Sequence, residues 1–155
     1  SHCNNLTTLE GASKEVGWDF NCSYCDNLTT LEGAPKEVKN LFDCNFCDSL
    51  ASLKGAPHVA WSLNCACCKS LKSLEGVPKE MGGNFNCFRC DSLASLKGAP
   101  EKIGGSFNCS NCNLLTSLEG APKEIGMEFS CYDCGKTFDK NDIINHIKIT
   151  GKINI

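Results

Sequence analysis

The sequence predicts a solenoid of short parallel strands, and three observations carry that prediction. Cys-x-x-Cys pairs at Cys22/Cys25, Cys44/Cys47, Cys65/Cys68, Cys87/Cys90, Cys109/Cys112 and Cys131/Cys134 recur at steps of 22, 21, 22, 22 and 22 residues. Apolar positions keep phase with them: Phe20, Phe42, Leu63, Phe85, Phe107 and Phe129 precede each pair by two residues, and Leu28, Leu50, Leu71, Leu93 and Leu115 follow it by three. A Gly-Ala-Pro segment recurs in the same phase, which breaks any helix, and the period is too short for a helix pair. One such unit cannot bury its apolar face. Stacked units can, at roughly 4.8 Å per strand, so about six strands build a solenoid about 30 Å long.

Each element of the unit has its own reason. In a strand, alternate residues share a face, so Phe20 and Cys22 point inward while Asn21 points out. The following leucines, including Leu31, Leu53, Leu74, Leu96 and Leu118, enter the interior from the corner and the return. Gly33 and its equivalents Gly11, Gly55, Gly76, Gly98 and Gly120 supply a backbone conformation closed to bulkier residues. Pro35, Pro57, Pro78, Pro100 and Pro122 fix φ at the next bend, with Ser13 the exception, and a non-strand return carrying Pro-Lys-Glu-Val closes the coil. Cys3 fits the second cysteine of a truncated earlier unit, and the unit through Gly55-Ala-Pro-His-Val-Ala-Trp61 is one residue short. Trp18 and Trp61 sit just before strands and are expected to pack on the return segment.

The chain therefore divides into repeats over 1–134 and a C-terminal cap over 135–155. Asp139 is placed as an N-cap, Phe138 and Ile143 as a hydrophobic staple, and Ile143, Ile144 and Ile147 as the apolar face of a helix. Gly151 is a plausible stop, and Lys152–Ile155 alternates like a strand. Such a cap shields the last repeat of a solenoid from water.

The unit resembles a leucine-rich repeat, whose strand segment is L-x-L-x-x-N/C-x-L. It is most similar to the short bacterial type, through Leu28-Thr-Thr-Leu31-Glu-Gly-Ala34-Pro35. It also resembles repeat proteins of tailed bacteriophages, with runs of the form LTSLEGAPKEVG followed by a strand. The resemblance covers residues 3 to about 134, with a longer interval from second cysteine to leucine and a longer return. It implies a leucine-rich-repeat-like solenoid with irregular returns. It also implies a viral protein in the cytoplasm of a bacterial host, blocking a host or defence factor.

The cysteines, 14 in all, admit three readings. As structural thiols, the first of each pair is a small buried hydrophobe, and the second donates S–H bonds to otherwise unpaired carbonyls of the tight turn. As zinc clasps, Cys22, Cys25, Cys44, Cys47, Cys65, Cys68, Cys87, Cys90, Cys109, Cys112, Cys131 and Cys134 satisfy four-cysteine spacing between neighbouring units. Against zinc stand the apolar strand before each pair and the absence of alternation between repeats. Cys131-Tyr-Asp-Cys134 with His146 matches a zinc finger only in part, since the second histidine is missing. As disulfides, the even count is permissive, but no secretory signal accompanies it. Cys67 alone lies inside a pair and is expected to be more exposed.

Composition narrows the function classes. A net charge of −3 argues against a polybasic nucleic-acid or membrane footprint, and no apolar run reaches membrane-spanning length. The opening run SHCNNLTTLE lacks a signal pattern and an initiator Met, so it is read as a processed end or an expression scar. His2, His58 and His146 form no triad by spacing, and no phosphate loop or dinucleotide fingerprint is present. A thiol redox enzyme stays open as a minor reading. The main expectation is a non-catalytic protein-binding module without a cofactor. Its concave face carries a polar ladder of Asn21, Asp43, Asn64, Asn86 and Asn108, ending at Ser130. A flanking column holds Ser23, Asn45, Ala66, Phe88, Ser110 and Tyr132, and the strand exit holds Tyr24, Phe46, Cys67, Arg89, Asn111 and Asp133. Tyr24, Phe46, Phe88, Arg89 and Tyr132 are the candidate hot spots, since aromatics and arginine dominate binding energy. The N-terminal edge, if uncovered, would favour self-association.

Overall fold

The computed structural model describes Cys3 and residues 5–155. It is a parallel β-solenoid of about six turns. One strand column holds β2 (Phe20–Asn21), the second half of β3 (Glu37–Asp43), the second half of β4 (Val59–Asn64), β6 (Phe85–Asn86), β8 (Phe107–Asn108), β10 (Phe129–Ser130) and β12 (Ile153–Asn154). Its register sets Phe20 on Phe42, Leu63 on Phe85, Phe85 on Phe107 and Phe107 on Phe129. The column is buried where the pattern demands: Phe42, Phe85, Phe107 and Phe129 are all fully enclosed. Phe85 and Phe107 stack at 5.4 Å between ring centroids.

The return is not irregular throughout, which corrects the sequence expectation. A second parallel column contains β1 (Glu15–Val16), the first halves of β3 and β4, β5 (Glu80–Met81), β7 (Lys102–Ile103), β9 (Glu124–Ile125) and β11 (Lys148–Ile149). The cause is a two-residue alternation that was easy to overlook. Glu37, Lys102 and Glu124 face outward while Val38, Ile103 and Ile125 are buried, and stacking in register pairs their backbones between turns. In β3 and β4 the two columns run together as one strand. From the fourth turn onward Gly82-Gly83 and Gly104-Gly105 separate them. These glycines permit close stacking, since a Cβ on Gly104 would lie 2.5 Å from the carbonyl oxygen of Gly82.

The short unit leaves a visible mark. Val38 pairs with Ala60 and Leu41 with Ser62, so Lys39 and Asn40 face Trp61 alone across a bulge. Trp18 and Trp61 are 78% and 56% exposed, and Trp61 meets the neighbouring return with one face only. The Trp61 ring lies over Gly82 and Gly83, where a Cβ on Gly83 would come within 2.6 Å of the indole. The ring therefore covers backbone and leaves its other side in water.

Two tight turns close each coil. The Leu31–Ala34 turn has Ala34 N donating to Leu31 O at 3.0 Å, with Gly33 at φ 86°. Glycine is required at this corner twice over, for φ and for space: at Gly55 a Cβ would sit 2.6 Å from the Glu32 backbone nitrogen.

The C-terminal segment extends both columns rather than lying across their end. Ile149 pairs with Ile125 and Ile153 with Phe129. Before them, between β10 and β11, α1 (Lys140–Ile144) replaces the usual loop. Asp139 caps it as expected, accepting from Asp142 N at 2.8 Å while the Asp142 carboxylate accepts from Asp139 N at 3.1 Å. Phe138, Ile143 and Ile147 join the core, but Ile144 faces out, one helical step off their side. The helix ends at Ile144, well before Gly151, which instead passes so close to Met127 O that any side chain would collide. Among the described residues no helix is long and apolar enough to cross a membrane.

Candidate interaction surface

The outward face of the first strand column is built around the ladder. Asn21, Asp43, Asn64, Asn86, Asn108 and Ser130 occupy one register line, as expected. Much of their bonding capacity is spent internally. Asn21 and Asn64 donate to the two oxygens of Asp43 at 3.3 and 3.1 Å, and Asn86 donates to Asn64 at 3.1 Å. In every turn from Asn21 to Asn108 the side-chain oxygen also accepts the N–H two residues on, from 3.0 Å at Ser23 to 3.2 Å at Asn45 and Ala66. These are Asx turns, and they steer the chain out of the strand. Burial pushes the Asp43 carboxyl above its ordinary range, opposed by the Asn45 N–H and the Asn64 amide.

The bend between the two cysteines of a pair follows. Tyr24, Phe46, Cys67, Arg89, Asn111 and Asp133 occupy its third position with φ of 57°, 53°, 60°, 55°, 58° and 51°. All six are left-handed and none is glycine. This is the conformation glycine supplies at the other corner, but here side chains occupy it in every turn. Tyr24 and Phe46 are 39% and 37% exposed and stack with centroids 4.6 Å apart and planes 7° from parallel. Two turns further along, roughly 10 Å away at strand spacing, Arg89 is exposed and makes no ion pair among the described residues.

The neighbouring column differs from expectation. Ser23, Ala66 and Ser110 are buried, Phe88 is half-buried, and only Tyr132 at the far end is exposed. The reason lies in the backbone: carbonyls of this column accept from the left-handed residue one turn earlier, as in Tyr24 N to Asn45 O at 2.9 Å and Cys67 N to Phe88 O at 2.7 Å. Small side chains are packed beneath that ladder. Of the candidate hot spots, the structure thus brings Tyr24 and Phe46 together, keeps Arg89 in line with them, and sets Phe88 and Tyr132 in the adjacent column. One charged column at the exit was not foreseen. Asp26, Asp48, Lys69 and Asp91 follow the second cysteines, with Lys69 Nζ on Asp48 Oδ2 at 2.6 Å. A charged residue directly after each of the first four Cys-x-x-Cys pairs was the available signal.

The cysteines form two interior columns. The second thiol of each pair reaches the carbonyl of the first cysteine one turn back: Cys47 to Cys22, Cys68 to Cys44 and Cys90 to Cys65 at 3.2 Å, and Cys112 to Cys87 and Cys134 to Cys109 at 3.3 Å. Backbone N–H groups of these turns do not reach those carbonyls, so the thiols satisfy them. Burial pushes the thiols of Cys47 and Cys131 up to about 12 and that of Cys134 to about 11. Burial likewise raises those of Cys22 and Cys109. Cys112 goes the other way, because its hydrogen bond with Cys87 lowers its thiol against the effect of burial. Among the described residues no group of three or more His, Cys, Asp and Glu side chains converges on a metal-sized point. Cys67, half-buried at the left-handed position, also has its thiol raised by burial, against the pull of Arg89.

Compared with known proteins, the chain matches no family model, no curated protein and no solved structure.

Proposed function

We propose that this chain is a non-catalytic protein-binding module whose contact surface is the strand-exit ridge of Tyr24, Phe46 and Arg89, extended by Phe88 and Tyr132. The left-handed column carries this reading. An ordinary L-residue in that conformation costs about 1–2 kcal/mol relative to its preferred regions, and only Asn111 and Asp133 belong to types that tolerate it well. The other corner of the coil shows that glycine is available to the repeat. Side chains retained at a strained, solvent-facing bend are best explained by what they touch outside the chain. The ladder, by contrast, contributes shape and rigidity, since its polar atoms are largely committed to one another.

The likeness to short bacterial leucine-rich repeats and to phage repeat proteins supports a finer version. In it the chain is a leucine-rich-repeat protein of a virus, acting in a bacterial cytoplasm on a host or defence factor. Replacing Tyr24, Phe46, Phe88 and Arg89 together by alanine should abolish capture of that partner from host lysate, with an unchanged circular dichroism spectrum. Undiminished capture by the folded variant would refute the ridge as the contact.

A further inference from the structure

Resting on the protein-binding reading above, we propose that the segment docking on the first three turns of the ridge is basic and presents arginine. Three observations converge there. The first is charge. From the residue before the inward Phe or Leu to the residue after the pair, these turns expose Asp19 and Asp26 and half-expose Asp48, against Lys69 alone, while Asp43 is half-buried in the amide ladder. The other side of the coil differs, because its acids are interleaved with lysines: Glu101 lies between Lys79 and Lys123, and Glu124 between Lys102 and Lys148. Charge complementarity therefore favours a cationic partner at this end.

The second observation is an unfinished stack. The Tyr24 and Phe46 rings repeat along the solenoid axis at 4.6 Å, so the next ring position lies over Cys67, whose short side chain fills none of it. A planar cation suits that place, since guanidinium stacks on aromatic faces while pairing with carboxylates at its edges. The third is a shortage of donors. Asp26 is exposed and its carboxylate makes no ion pair or side-chain hydrogen bond among the described residues. One turn on, the Asp48 side chain is 37% exposed and a single lysine, Lys69, holds its outer oxygen, while its inner oxygen and Asn45 Oδ1 are enclosed without a partner. Guanidinium is rich in donors and has no acceptor, so it suits the open edge of these two carboxylates.

Calorimetric titration with nona-arginine and nona-lysine peptides tests the proposal on the intact chain. Nona-arginine should bind, more tightly than nona-lysine, with affinity falling as salt rises. The Tyr24→Asn, Phe46→Asn double variant should lose tenfold or more, and asparagine is chosen because it accepts the left-handed bend. Lys69→Glu, which removes the one opposing cation of these turns, should gain affinity, a result that a damaged fold would not produce. No binding of nona-arginine, or equal affinity for wild type and the folded double variant, overturns the proposal. If nona-arginine fails while the double variant still releases a captured cellular protein, the ridge stands and its partner chemistry is wrong. If the double variant releases nothing either, both readings fall.

Discussion

Replacing Arg89 by glycine should make the protein more stable. Arg89 sits at φ 55°, its side chain is exposed, and its N–H donates to Ser110 O at 3.0 Å in a bond the variant keeps. Relief of the left-handed bend is worth about 1–2 kcal/mol. Glycine returns part of this through the extra freedom of its unfolded chain, about 0.5–1 kcal/mol. The net gain is about 0.5–1 kcal/mol, or a rise in Tm of roughly 1–4 °C for a chain of this size. Arg89→Asn should rise similarly, because asparagine tolerates the bend. The converse change, Gly98→Ala, meets both a φ of 88° and a Cβ 2.7 Å from Glu75 Cα, and should cost about 2–5 kcal/mol. Thermal and urea melts followed by circular dichroism read all three. If Arg89→Gly melts at or below wild type, the bend stores no strain, and the argument that its side chains are kept for a partner loses its basis.

Other perturbations probe separate layers of the fold. Cys90→Ala should cost about 2–3 kcal/mol in urea melts, because it empties a fully buried site and strips the Cys65 carbonyl of its donor; Cys90→Ser, which keeps a donor, should recover part of the loss. Phe107→Ala, between Phe85 and Phe129, should cost about 3–5 kcal/mol, and Phe20→Ala at the half-buried end of the column less, by the same assay. Asp43 supplies a pH test. Its carboxyl is raised by burial in the folded chain, so the native state holds that proton more tightly than the unfolded one. Its contribution is therefore most favourable below the unfolded pKa and declines as pH rises through the folded value. Asp43→Asn should be more stable than wild type at pH 7, with a difference that shrinks in melts repeated at pH 4.

Periodicity made the solenoid legible before any coordinate. Cysteine and phenylalanine positions recurring every 22 residues locate the first strand column, and every pair from Cys22 to Cys131 begins inside the core. The thiol-to-carbonyl bonds were legible too, because a polar atom repeated at a turn must meet the same backbone group each time. The second column was missed because its alternation is only two residues long and follows a proline, which reads as loop. The exposure of Trp18 and Trp61 was missed for a different cause: what lies under each is set by the adjacent turn, and Gly82-Gly83 offers a flat backbone rather than a pocket. The left-handed bend was within reach, since four residues from cysteine to cysteine make one turn. Its third position gave no warning because Tyr, Phe, Cys and Arg are not the residues such a bend prefers.

That mismatch between local preference and local geometry is informative because it is not spread evenly. At the glycine corner, sequence and backbone agree in all six turns, with φ from 83° to 112°. In the C-terminal turns the exit bend relaxes toward compatible types, Asn111 and Asp133, which bond each other at 3.3 Å. Conflict concentrates in the first four turns, with Tyr24, Phe46, Cys67 and Arg89 at a left-handed bend, a half-buried carboxylate in an amide ladder, and enclosed oxygens without donors beside Phe46. Each is individually removable by a conservative substitution, so each marks stability left unused. Sequences consistent at every level fold best, and natural chains depart from that consistency chiefly where function intervenes. A stabilising substitution at Asp43, or at Tyr24 or Phe46 of the exit bend, should therefore weaken nona-arginine binding, whereas one in the Lys-Glu rows of the second column should leave it unchanged.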